Sequence, residues 1–86
     1  MELLKIIKYP LSTEKAIRLM ESENKLVFVV DEKAKKEEIA KAISDEYGAK
    51  VDNVKTVVDQ KGRKKAYVKF AADVPAIDIA TKLGLM

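Results

Sequence analysis

The sequence predicts an α+β fold, a four-stranded and mainly antiparallel sheet with helices packed on it, in the order βαβαββα. Three observations carry this expectation. Leu26 to Val30 are five consecutive apolar residues, the pattern of an interior strand covered on both faces. Ile39, Ile43 and Tyr47 recur at intervals of four, the stripe of an amphipathic helix. Two β-rich runs, VDNVKTVVD and RKKAYVKF, are separated only by Gln60-Lys61-Gly62, a spacing that suits a tight hairpin.

In chain order, Leu3, Leu4, Ile6 and Ile7 make a short strand near 3–8. It stops at Tyr9-Pro10, because proline lacks an amide hydrogen. Ser12 or Thr13 caps a helix near 13–21 whose apolar positions Ala16, Ile17 and Met20 share a face; it should fray into the polar residues 21–24. The strand near 25–30 follows, then a helix over 36–47, poorly capped at Lys35 but helped by Glu37 and Glu38 at the positive end of its dipole. Gly48 supplies its left-handed stop. Strands near 51–59 and 63–70 pair across Gly62, which can adopt the positive φ of a bulged turn. A last helix near 75–83 has Pro75 in its first turn, Ala76, Ile79, Ala80 and Leu83 on one face, and Gly84 as its end.

At 86 residues the chain is expected to be a single domain over 1–86 with one modest core. No apolar run is long enough to span a membrane, and MELLKIIKYP has no signal-peptide pattern, so an intracellular protein is expected, without membrane insertion. Cysteine and histidine are both absent, which removes disulfides, thiolate zinc sites and the commonest general base. No nucleophile motif or Gly-rich phosphate loop is present. The expectation is a binding protein rather than an enzyme, with no cofactor, metal or small-molecule substrate.

The net charge is +3, and its distribution says more than the sum. Acids concentrate in helical stretches, whereas Lys61, Arg63, Lys64 and Lys65 stand together with no acid inside the run. A lysine-rich hairpin is a common way to keep a sheet edge from pairing. It is equally a short protruding turn whose cations can meet successive phosphates. Ala66-Tyr67-Val68-Lys69-Phe70 also matches the second half of an RNA-recognition-motif signature. Lys65, however, replaces its first aromatic, Phe28 reads as core, Tyr67 is left as the only ring of the platform, and the motif's last strand is missing from the pattern.

Three blocks then define a resemblance over nearly the whole chain: YPLSTEKA (Tyr9 to Ala16), VDEKAKKEEIAKAISDEYGAKVDNVKT (Val30 to Thr56) and RKKAYVKF (Arg63 to Phe70). With these blocks the chain resembles the large-subunit ribosomal protein family conventionally numbered twenty-three, in its short archaeal form. It departs from the family pattern at Phe70, usually leucine; at Lys35, usually a small polar cap; and at Lys55, commonly asparagine before Thr56. The turn at residues 60–62 is far shorter than the bacterial hairpin loop that enters the exit tunnel.

The resemblance implies a cytoplasmic protein on the large ribosomal subunit, bound to rRNA beside the nascent-chain exit. Its partners would be large-subunit rRNA, neighbouring ribosomal proteins, and exit-site factors such as the signal recognition particle. The candidate rRNA contacts are Lys8, Tyr9, Pro10, Ser12, Lys15, Asn53, Lys55, Thr56, Lys61, Gly62, Arg63, Lys64, Lys65, Tyr67 and Lys69. Glu14, in the Ser/Thr-Glu-Lys block, carries over as the factor-docking residue; on local physics alone it is a first-turn acid favoured by the helix dipole. Two other readings compete with this one: an independent single-stranded RNA binder of the recognition-motif kind, and a small protein-interaction module.

Overall fold

Among the residues described by the computed structural model, 6–11 and 13–83, the order is β1 (Ile7–Pro10), α1 (Glu14–Glu23), β2 (Lys25–Val30), α2 (Lys36–Tyr47), β3 (Val51–Val58), β4 (Lys64–Phe70) and α3 (Ala76–Lys82). Leu3, Leu4, Ser12 and Gly84, to which strand, capping and stop roles were assigned above, lie outside these residues. The four strands form one sheet in the order β1-β2-β4-β3, and every observed pairing is antiparallel.

The first strand differs from expectation. It begins at Ile7 and runs through Tyr9 and Pro10 instead of ending before them, with Pro10 opposite Phe28. The reason is position: β1 is an edge strand, where a residue without an N–H can face outward at no cost to the ladder. A register shift between Ile7 and Tyr9 leaves Lys8 unpaired and exposed.

Helix α1 is capped by Thr13, whose Oγ1 accepts the Ala16 amide at 3.2 Å. Its far end does not fray. Asn24 adopts a left-handed conformation, φ 58°, and its backbone N–H closes on the Leu19 carbonyl. Helix α2 has the predicted bounds. Lys35 has no acceptor to offer its first turn, yet Glu38 accepts the Lys35 amide at 3.1 Å, half of a capping box. Pro75 is the N-cap of α3 rather than a first-turn residue, and Leu83 closes that helix.

One core joins the three helices named above to one face of the sheet. Leu26, Phe28, Val30, Val54, Ala66, Val68 and Phe70 meet Met20 of α1, Ile39 and Ile43 of α2, and Ala76, Ile79 and Ala80 of α3. Phe28, Phe70, Ile39 and Ile43 are the largest fully buried side chains. Removing such a ring typically costs about 3–5 kcal/mol. Val27 and Val29 are also buried but lie outside this cluster, so β2 is covered on both faces as its apolar run predicts. Tyr47 packs on the edge of the core; burial pushes its phenol pKa up, and Glu46 adds to the shift. No described helix is long and apolar enough to cross a membrane.

Candidate nucleic-acid interface

Strand alternation and register decide which side chains share the face opposite the helices. Across the sheet the rows are Lys25, Lys69 and Asn53; Val27, Tyr67 and Lys55; and Tyr9, Val29, Lys65 and Val57. Lys25, Lys55, Lys65 and Lys69 are thus on one face, and none of the residues paired in these rows is acidic. Lys55, Lys69 and Asn53 are exposed, Tyr67 and Lys65 are half-buried, and Tyr9 is 44% exposed. Tyr67 is therefore not the only ring here: the edge strand brings Tyr9 to the same face.

The β3–β4 turn is tied down by Asp59. The Asp59 amide donates to the Arg63 carbonyl at 2.9 Å, and the Gly62 amide to the Asp59 carbonyl at 3.1 Å. Gly62 takes φ 80°, the bulged position anticipated from the sequence. The Asp59 side chain does as much again. Its Oδ1 accepts the Lys61 and Arg63 amides, both at 2.9 Å, and its Oδ2 accepts Arg63 Nε at 3.1 Å and lies 3.7 Å from Lys65 Nζ. Burial alone would raise the Asp59 pKa. The Arg63 and Lys61 amides, and then the Arg63 guanidinium, outweigh it and hold the carboxyl below its usual value.

Arg63 reaches across to β1, where its Nη1 donates to the Tyr9 hydroxyl at 3.3 Å. The Tyr9 hydroxyl and the Asp59 carboxylate together raise the guanidinium above its usual pKa. The basic run thus has a counter-anion one turn upstream. Sequence reading missed it because Asp59 lies outside the run; the signal available was an Asp two residues before Lys61, the spacing of an Asx turn.

The predicted site residues divide by position. Tyr9, Asn53, Lys55, Lys65, Tyr67 and Lys69 share the face opposite the helices, with Arg63, Lys61 and Gly62 at the hairpin end. Lys64 is on the other side. Its register partners are Val30 and Val58, and its Nζ donates to the Ala34 carbonyl at 2.7 Å and the Glu32 carbonyl at 3.4 Å. Thr56, paired with Ala66, also turns toward the helices. Adjacent residues of a strand point to opposite faces, so a run of cations cannot act as one patch. Lys8 is exposed at the β1 bulge and Pro10 is half-exposed on the edge strand. Lys15 and Glu14 are exposed on the first turn of α1, in the helical layer; Glu14 Oε1 accepts Arg18 Nη2 at 2.8 Å, with both side chains largely in solvent. Ser12 lies outside the described residues.

Among the described residues there is no cluster of Asp and Glu able to hold a metal ion. The depressions on the helical side are shallow; one of about 620 Å³ runs between the end of α1 and residues 69–72.

Comparison with known proteins gives the family. The family model described as ribosomal protein L23 matches residues 5–78. The chain is 44% identical over 82 residues to a large ribosomal subunit protein uL23 of Trypanosoma brucei brucei, covering 95% of this chain and 50% of that relative. It spans about half the length of the curated relative it matches. With a matching family model over most of its length and a relative at this identity, the chain belongs to the ribosomal protein L23 family.

Proposed function

We propose that this chain is a component of the large ribosomal subunit that binds large-subunit rRNA through the face of its sheet opposite the helices and the end of the β3–β4 hairpin. One observation carries the reading: four strand lysines, with Asn53, Tyr9 and Tyr67 among them, share a face in paired rows that contain no acidic residue. Phosphates are met by Lys55, Lys65, Lys69, Arg63 and Lys61, with Lys8 at the edge; Gly62 lets the turn's backbone approach closely. Such contacts release counterions, so affinity falls steeply with salt. Family membership supports the same partner, with neighbouring ribosomal proteins around it, a cytoplasmic location on the ribosome and a non-enzymatic role.

The first turn of α1 faces away from this surface. Glu14 and Lys15 are left for partners other than the rRNA held by the sheet, and the family resemblance supports docking of the signal recognition particle or another exit-site factor at Glu14. Co-sedimentation of the tagged chain with large subunits tests the assignment. Recovery in the subunit fraction at low salt and release of the purified complex as salt rises is the expected result; a chain that stays at the top of the gradient refutes it.

A second reading, an independent single-stranded RNA binder, draws on Tyr9 and Tyr67 sharing the face. It expects affinity to depend on the rings, by about 1–3 kcal/mol per stacked base, more than on the lysines.

A further inference from the structure

We propose that Asp59 is a positioning residue for RNA: an acid inside the basic interface that strengthens binding by holding Arg63 and Lys65 in place on the face opposite the helices. The inference rests on the RNA-binding reading given above. An acid here looks adverse, since it cancels one positive charge beside a polyanion. The geometry argues the reverse.

Both of its oxygens are committed. Oδ1 fixes the turn through the Lys61 and Arg63 amides, and Oδ2 holds Arg63 Nε at 3.1 Å with Lys65 Nζ at 3.7 Å. Its side chain is 17% exposed, against 41% for Arg63 and 25% for Lys65, so the carboxylate sits beneath the cations rather than in front of them. Arg63 is held at a second point by the Tyr9 hydroxyl. A guanidinium has five N–H donors; two are used in these contacts, and the other three have no partner among the described residues.

Arginine and lysine lose much rotamer freedom when a phosphate fixes them. Here Asp59 and Tyr9 have already restricted them, so the ordering cost falls on folding and not on binding. The result is a pre-set pair of cations presenting outward donors, at the expense of one unit of net charge.

The two effects have opposite signs, which makes the test decisive. Asp59→Asn keeps an oxygen for the Lys61 and Arg63 amides but removes the ionic hold, and it raises net charge by one. Affinity for large-subunit rRNA is measured across a salt series for the wild type, Asp59→Asn and Asp59→Ala, with hairpin amide signals recorded to follow the turn. The expected result is that Asp59→Asn binds about three- to tenfold more weakly than wild type despite its extra positive charge. Its salt slope should stay close to that of the wild type, because the same cations meet the same phosphates at a higher ordering cost.

Asp59→Ala, which loses the turn bonds too, should bind more weakly still. Equal or tighter binding by Asp59→Asn, with an unchanged or steeper slope, overturns the proposal and leaves Asp59 as a turn residue that merely dilutes charge. Weaker binding by Asp59→Asn accompanied by displaced hairpin amide signals also overturns it, since the loss then comes from the turn and not from the freed side chains. If the wild type shows no salt-sensitive binding, the RNA reading itself fails and this inference falls with it.

Discussion

Asn24 closes one helix and starts another: its Oδ1 accepts the Ala76 amide at 2.6 Å, across 52 residues of sequence. Pro75, the formal N-cap of α3, has no side-chain acceptor for the first turn, and Asn24 supplies one from outside. Its Nδ2 donates to the carbonyls of Val74, Ala71 and Phe70 at 2.8, 3.2 and 3.4 Å. A single left-handed residue therefore fixes the end of α1, the end of β4 and the start of α3. Asn24→Ala is expected to cost about 2–4 kcal/mol, combining a lost cap, lost hydrogen bonds and the strain of alanine at positive φ. Asn24→Gly should be milder by about 1 kcal/mol, since glycine tolerates that φ. Denaturant unfolding of the two variants checks both the size and the order.

Lys64 and Lys55 should separate stability from binding. Lys64→Ala removes an ammonium from the Ala34 and Glu32 carbonyls and is expected to cost about 1–2 kcal/mol of stability, with little change in the salt slope of RNA binding. Lys55→Ala, at an exposed position on the face opposite the helices, should leave stability within about 0.5 kcal/mol and reduce the slope by about one contact. Equal effects of the two on RNA binding would contradict the division of the basic run between faces.

Acid should loosen the hairpin through Asp59. Its carboxyl lies below the usual range in the folded protein, with burial opposing the shift and the Arg63 and Lys61 amides and the Arg63 guanidinium producing it. A depressed carboxylate pKa means that the ionised form favours the fold. That contribution is complete above the ordinary carboxylate pKa of about 4 and is lost as pH falls through the lower folded value. The Lys61 and Arg63 amide signals should therefore shift together under acid in the wild type, and Asp59→Asn should lack that step.

Glu14 is expected to matter for partners and not for folding. Its only described side-chain bond is the solvent-exposed pair with Arg18, a type that contributes well under about 1 kcal/mol. Glu14→Ala should incorporate into subunits normally while recruitment of an exit-site factor declines and becomes less salt-sensitive. Unchanged recruitment at every ionic strength would reduce Glu14 to its dipole role.

Periodicity made most of the fold legible. The apolar run of β2, the four-residue stripe of α2 and the Gly62 turn each have a local physical cause, so each could be read from a few neighbours. What escaped depends on distant partners. That Pro10 remains in β1 follows from the strand being at an edge, and that α1 ends cleanly follows from Asn24 finding Phe70, Ala71, Val74 and Ala76. The candidate site was half legible for the same reason. Its cations stand out in composition, but the separation of Lys64 from Lys65 needs strand register, and the pairing of Arg63 with Tyr9 links residues 54 apart.

The central claim is that the lysine rows on the sheet face opposite the helices, and not the basic run as a string of charges, grip rRNA. The most direct measurement is the salt dependence of rRNA affinity for a variant with Lys55, Lys65 and Lys69 all replaced by alanine. With each lysine meeting one phosphate, the slope of log affinity against log salt should become shallower by about 2–3 units. A slope equal to that of the wild type would contradict the account.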